Sequence, residues 1–127
     1  AKIENLTFIE RVPFHEVDRY FEKAKVLVNT SDSEGFPNTF IQACKTRAAI
    51  LSFGVNPDDF LNRHRCGLDC GGDFEKLQKH LTFLLEGNRY LEYGQNGFEY
   101  CRREHDITNI IGVYKALFQK EAVAGAV

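Results

Sequence analysis

The fold of this chain is decided by residues 25–44, whose sequence is KVLVNTSDSEGFPNTFIQAC. The apolar run 26–28 is short and continuous, which is typical of a strand buried in a parallel sheet. A polar loop follows from residue 30 to 38, and the next residues predict a helix with Phe40 and Cys44 turned inward. Strand, loop and helix in this order predict an α/β unit.

The rest of the sequence continues the same alternation. Apolar runs predict further strands at residues 6–9, 48–53 and 67–70. Helical periodicity predicts helices at residues 15–24, 56–61, 73–84, 91–105 and 106–118, with Asp73 and Asp106 as N-caps. We therefore expect a three-layer α/β fold with a short parallel sheet of three to four strands flanked by helices. Such a sheet is narrow for a doubly wound fold and corresponds to half of a Rossmann-like domain.

Composition restricts the class of protein. The 127 residues are 43% hydrophobic and 27% charged, which is typical of one globular domain. The net charge of -2 and the scattered basic residues argue against a nucleic-acid partner, because phosphate binding needs a concentrated basic face. No apolar run approaches the ~20 residues that span a bilayer. We expect a cytoplasmic protein whose membrane association, if any, depends on parts outside this sequence.

The four cysteines are too sparse for a disulfide framework in a chain of this length. Cys66 and Cys70 follow His64 closely, as metal ligands can, but a structural zinc site needs a second pair at suitable spacing. We therefore expect buried or half-buried thiols and no metal.

The loop after the strand at 26–28 carries the candidate site. Ligands bind at the carboxyl ends of parallel strands, and the leading amides of the next helix attract anions. Gly35 permits unusual backbone angles or close approach by a ligand, and Asn38 or Thr39 can cap the helix. Glu34 would repel a phosphate but can accept hydrogen bonds from the hydroxyls of an attached sugar. From these residues alone, a solvated loop acid is an equally open interpretation of Glu34.

Residues 33–43, with the sequence SEGFPNTFIQA, resemble the acidic loop and helix of retaining GT-B glycosyltransferases. This large family, glycosyltransferase family 4-like (group 1), includes many sucrose, mannosyl and lipopolysaccharide glycosyltransferases. In it, a glutamate, a Gly-Phe loop and a second glutamate eight positions after the first hold a nucleotide-diphosphate sugar. The likeness covers residues 1–121 as the second half of the C-terminal Rossmann-like domain, with 122–127 as a tail.

The resemblance implies roles for individual residues. Glu34 accepts hydrogen bonds from the donor sugar, and Arg11 and Val12 lie near the nucleotide base, although a solvated charge is an alternative for Arg11. The loop residues implied to meet the sugar and diphosphate are Gly35, Phe36, Pro37, Asn38 and Thr39. Gln42 stands where the family has its second glutamate, so binding of the ribose hydroxyls is expected to weaken by about 1 kcal/mol.

Parts of the family's machinery have no match here, namely its basic Arg and Lys pair and its N-terminal domain with the acceptor site. Because charge compensation of the leaving diphosphate normally dominates catalysis, we expect the fragment alone to be inactive. We assign no catalytic residue, and none of His15, His64, His80 and His105 matches the family motif. Apart from the nucleotide sugar as substrate, no cofactor is expected.

The strand edge between Leu6 and Arg11 would be unpaired and would favour a homodimer. The alternative function, which Gln42 supports, is that of a degenerate, non-catalytic domain used for assembly or protein contacts.

Overall fold

The computed structural model describes residues 4–31 and 33–104 as an α/β arrangement. In chain order the elements are α1 (Phe14–Lys23), β1 (Val26–Asn29), α2 (Asn38–Lys45), β2 (Ala49–Ser52), α3 (Phe60–Arg63), β3 (Gly67–Asp69), α4 (Phe74–Leu85) and α5 (Tyr90–Glu104). A 3₁₀ turn at Pro57–Asp59 leads into α3, and another at Glu86–Asn88 precedes α5. The helix predicted at 106–118 and the tail at 122–127 lie outside the described residues.

The strands form one open parallel sheet in the order β1-β2-β3. The central strand β2 is buried along its whole length. Its pairing with β3 is close at Gly67, where a Cβ would overlap the carbonyl oxygen of Ile50. The predicted alternation of strands and helices is thus confirmed from β1 onward, as the small parallel sheet and flanking helices of half a Rossmann-like domain.

Helices cover both faces of this sheet. On one face Ile50 packs in a buried cluster with Phe40 of α2, Leu61 of α3 and Cys101 of α5. On the other face Leu51 packs with Leu84 of α4 and Cys70. Successive residues of β2 therefore serve opposite faces, as the alternation of side chains along a strand requires. The predicted three-layer arrangement is confirmed.

Two glycines let α5 approach its neighbours closely. A Cβ at Gly94 would overlap the carbonyl oxygen of Arg47, which follows α2. A Cβ at Gly97 would lie 3.0 Å from the Cys44 sulfur and 3.1 Å from the Cys66 Cβ. These contacts fix α5 against α2 and the residue before β3.

The helix starts differ from one another. The Asp73 carboxylate accepts a hydrogen bond of 2.9 Å from the amide of Glu75, so the predicted cap of α4 is confirmed. Capping of α2 by Asn38 or Thr39 is wrong, because Pro37 occupies the N-cap position and no side chain caps this helix.

The first residue of α4 lies at the surface rather than in the core. Phe74 is 73% exposed, and its ring lies edge-on to Phe53, with the centroids 5.8 Å apart. The first turn of α4 therefore meets the segment after β2 rather than the core, which the helix reaches at Leu77, Leu81 and Leu84.

The strand predicted at residues 6–9 is not formed. Residues 6–13 have no regular secondary structure, and Leu6 and Phe8 are 66% and 83% exposed. An extended apolar segment becomes a strand only when a neighbour completes its backbone hydrogen bonds. In the described part of the chain, the outer edge of β1 has no strand beside it. Arg11 and Val12, predicted near a base, lie in this irregular segment, exposed and half-buried respectively.

Within residues 4–31 and 33–104, none of the helices combines the length and apolar character that a transmembrane segment requires.

Candidate functional site

The candidate site lies where β1 ends and α2 begins. The side-chain amide of Asn29, the last residue of β1, donates a hydrogen bond of 3.0 Å to Oε2 of Glu34. The Asn29 side-chain oxygen accepts a second bond, of 2.8 Å, from the amide of Ser31. The backbone carbonyl of Asn29 also accepts a bond of 2.8 Å from the amide of Phe53, just after β2. One asparagine therefore links the strand end, the turn, the candidate acid and the neighbouring strand.

This arrangement brings Glu34 to the carboxyl edge of the sheet, the edge at which ligands bind in open parallel sheets. The side chain of Glu34 is exposed to solvent. A carboxylate has about four lone-pair sites for hydrogen bonds, and Asn29 uses one of them. The predicted strand–loop–helix connection is confirmed, whereas the role of Glu34 in binding stays a prediction.

Aromatic contacts and a buried proline anchor the second half of the turn. The ring of Phe36 lies edge-on to Phe60, with centroids 4.9 Å apart, and to Phe40, with centroids 6.0 Å apart. Pro37 is buried. Because Phe40 belongs to the main core cluster, the turn is fixed directly to the core.

The start of α2 retains the character of an anion site. Its first turn contains no acidic residue and no side-chain cap. The backbone amides of Asn38 and Thr39 therefore receive no hydrogen bond acceptor from a capping side chain. The amide of Phe40 bonds the Pro37 carbonyl at 3.1 Å. The positive end of the helix dipole therefore faces the loop without a built-in counter-charge on the helix.

Gly35 has a simpler environment than the sequence suggests. Its φ lies outside the left-handed region, so one of its two predicted roles, supplying unusual backbone angles, is wrong. A Cβ at this position would meet no atom within 4 Å. The other predicted role of Gly35, close approach by a ligand, stays a prediction.

Gln42 lies one helical turn beyond Asn38 and is half-buried. Its backbone carbonyl accepts a bond of 3.0 Å from the hydroxyl of Thr46. The ribose-binding role that the resemblance gives Gln42 stays a prediction, as do the base-binding roles of Arg11 and Val12.

The cysteines serve the interior. All four are free and buried, as the sequence predicts. Cys66 packs beside Cys44 on one face of the sheet, whereas Cys70 lies in the cluster on the other face. The Cys70 sulfur is 3.8 Å from Nδ1 of His80. Across the described residues, no three His, Cys, Asp or Glu side chains converge in a way that could hold a metal ion.

Sequence reasoning missed two features of this edge. Asn29 could have been found from its position, because an asparagine two residues before a turn amide often forms such a side-chain bond. The second is a cavity lined by Phe36, Phe60, His64 and Tyr100, which come from distant parts of the chain. No local pattern predicts that these rings meet.

No protein-family model, curated protein or solved structure matches this chain. The functional conclusion therefore depends on the site and on the resemblance of residues 33–43.

Proposed function

We propose that this chain is the donor-binding part of a glycosyltransferase that uses a nucleotide-diphosphate sugar and retains the configuration of the transferred sugar. The observation that carries this proposal is the Asn29–Glu34 pair at the end of β1, immediately before the uncapped start of α2. The Glu34 carboxylate can accept hydrogen bonds from hydroxyls, and the adjacent N-terminus of α2 can attract an anion.

The sugar end of the donor is assigned to Glu34. Each hydrogen bond from a sugar hydroxyl to a carboxylate contributes about 1.5–3 kcal/mol. The bond from Asn29 orients the carboxylate before a ligand arrives, which reduces the entropy lost on binding. An unanchored loop acid would have no such preorganisation.

The diphosphate end is assigned to the turn and the start of α2. The backbone at Gly35 allows close approach, and the amides of Asn38 and Thr39 begin the helix. A helix N-terminus favours a partly buried anion by up to about 2 kcal/mol. The two ends together recognise a molecule in which a sugar is joined to a phosphate.

In this proposal, binding and catalysis belong to different parts of the protein. The family that residues 33–43 resemble uses an arginine, a lysine and an N-terminal domain that have no match in this sequence. Cations beside the leaving diphosphate normally supply the largest catalytic term. We therefore propose that the chain binds the donor and that turnover requires those other parts.

Isothermal titration with UDP, GDP and ADP, each with and without an attached hexose, tests the proposal. We expect weak binding of one nucleotide and tighter binding of its hexose derivative. The variant Glu34→Ala is expected to lose the contribution of the sugar while retaining the affinity for the nucleotide. Glu75→Ala, which removes an exposed acid from the first turn of α4, is the matched control and should behave as the wild type.

Gln42→Glu tests the resemblance directly. If Gln42 stands where a glutamate holds the ribose, the added charge should tighten nucleotide binding by about fivefold. No change in affinity would remove Gln42 from the site. Absence of binding by every nucleotide would overturn the proposal and favour a degenerate domain used for assembly.

A further inference from the structure

A cavity of about 500 Å³ lies beside the Glu34 turn. It is bounded by Phe36 of the turn, by Pro57 just before α3, by Phe60 at the start of α3, and by Tyr100 of α5. Phe36 is two residues from Glu34, and Pro57 lies five residues after the end of β2. The cavity therefore opens at the same edge of the sheet as the candidate donor site. Its volume is within the range of about 300–1,000 Å³ typical of small-molecule sites.

The wall of the cavity consists of aromatic rings that support one another. Phe60 is only 4% exposed, and the rings of Phe36, His64 and Tyr100 have centroids 4.9–5.0 Å from its own. The rings of His64 and Tyr100 are 4.0 Å apart. Phe36 is 45% exposed and forms the side nearest the Glu34 turn. The aromatic surface is thus fixed by packing against the core, and a ligand would not have to assemble it.

Charged groups stand around the aromatic wall. Nη1 of Arg63 donates to Oδ2 of Asp58 at 2.7 Å, and Glu104 adds a second carboxylate to the lining. The Asp58 side chain is 90% exposed, so its carboxylate retains capacity for further hydrogen bonds. Among the described lining residues the only guanidinium is already paired, so the two carboxylates disfavour an anionic ligand such as a phosphate.

Rings flanked by carboxylates and a guanidinium match the surface of a sugar. The C–H bonds on one face of a pyranose ring carry partial positive charge and suit the negative face of an aromatic ring. Its hydroxyls donate to carboxylates and accept from a guanidinium. A small pocket with an apolar wall and a few convergent polar groups is the usual form of such a site.

We propose that the cavity between Phe36 and Tyr100 binds a neutral sugar ring. Sugar binding in this cavity is independent of the proposed donor site. Phe36 connects the two sites, because its backbone belongs to the Glu34 turn and its ring forms a wall of the cavity.

Titration of the ¹⁵N-labelled 127-residue chain with methyl glucosides, galactosides and mannosides of both anomeric forms tests the proposal. We expect saturable shifts of the backbone amides of residues 58–64 and 100–104 with at least one glycoside. Asp58→Asn and Arg63→Gln should each lower the affinity for that glycoside about fivefold to tenfold, since each removes a charge-assisted hydrogen bond. Asparagine suits position 58, where the backbone is left-handed with φ of 54°.

Two further variants complete the experiment. Arg103→Gln, which removes an exposed charge on α5 outside the cavity lining, is the matched control and should leave the glycoside affinity unchanged. Phe36→Leu keeps an apolar side chain but removes the ring, and should lower the affinity for the glycoside at least about fivefold.

The outcomes separate the two proposals. Binding of a nucleotide sugar without glycoside shifts at residues 58–64 overturns the sugar cavity and leaves the donor site standing. Glycoside shifts there without any nucleotide binding keep the cavity and overturn the glycosyltransferase function. Shifts caused by choline but by no glycoside would show a cage for cations and would also overturn the sugar cavity.

Discussion

The side-chain amide of Asn29 lies 3.0 Å from the Glu34 carboxylate and donates a hydrogen bond to it, so the end of β1 determines the position of the candidate acid. The same asparagine accepts a bond from the amide of Ser31 through its side-chain oxygen. The two halves of one carboxamide therefore have separate tasks, one closing the turn and the other orienting the acid. This division makes the contribution of the Glu34 orientation measurable.

Asn29→Asp separates these two tasks. An aspartate can still accept the Ser31 amide, but it cannot donate to Glu34 and sets a second negative charge beside it. We expect the free energy of unfolding to change by less than about 1 kcal/mol and the affinity for a nucleotide sugar to fall about tenfold. Urea denaturation and isothermal titration measure the two quantities. Equal losses of sugar binding and of stability would show that Asn29 acts on the fold alone.

Two glycine substitutions should differ in their effect on stability. Gly94→Ala forces a methyl group against the carbonyl oxygen of Arg47, and because this neighbour is backbone, we expect a net loss of about 2 kcal/mol in unfolding free energy. Gly35→Ala meets no atom within 4 Å and should change stability by less than about 0.5 kcal/mol. Thermal and urea denaturation test both. In titration, Gly35→Ala should still lower the affinity for the nucleotide sugar if this ligand approaches the backbone closely.

Because residues 6–11 form no strand, the edge at which we expect self-association is that of β1. Val28 on this outer strand is 41% exposed, and an unpaired apolar edge tends to pair with a second chain. We expect the chain to dimerise at high concentration and Val28→Lys to reduce the dimer fraction. Leu91→Lys, at a 59% exposed position on α5, is the control and should leave it unchanged. Sedimentation equilibrium measures both, and a wild-type chain that stays monomeric throughout contradicts the prediction.

The buried thiols should make stability fall in alkali. The hydrogen bond with Cys66 and burial raise the pKa of Cys44 far above its ordinary value of 9.0. The unfolded chain therefore releases this proton as the pH rises past about 9 while the folded chain keeps it, so stability is complete below that pH and declines above it. The expected slope is ~1.4 kcal/mol per pH unit from this thiol.

Urea denaturation between pH 7.5 and 10 measures this slope, and Cys44→Ala should make it shallower. An identical slope in the variant, together with rapid reaction of the native thiols with a disulfide reagent, would contradict the assignment.

Much of the fold can be predicted from local patterns. The apolar runs at β1, β2 and β3 and the periodicity of α1, α2, α4 and α5 identify these elements. The Asp73 cap follows from residue type alone, because the bond is made within three residues. The loop that carries Glu34 is also predictable, since a strand followed by a glycine-containing turn and a helix is a local arrangement.

The features that could not be predicted from the sequence depend on contacts with other parts of the chain. Residues 6–9 have the composition of a strand, but their outcome is decided by whether a neighbour supplies hydrogen bonds, which the pattern does not contain. Phe74 fits the helical face and yet lies outside, because the direction of α4 relative to the sheet decides which turns reach the core.

By itself, the sequence determined that Glu34 follows a buried strand and precedes a helix, because these are properties of neighbouring residues. Only the tertiary structure decided that Phe36, Phe60 and Tyr100 line one cavity. The physical reason is that packing brings together side chains far apart in the sequence, as Phe36 and Tyr100, which are 64 residues apart and both pack against Phe60. The energy of such contacts depends on the geometry of the whole sheet and its helices, which no local pattern encodes.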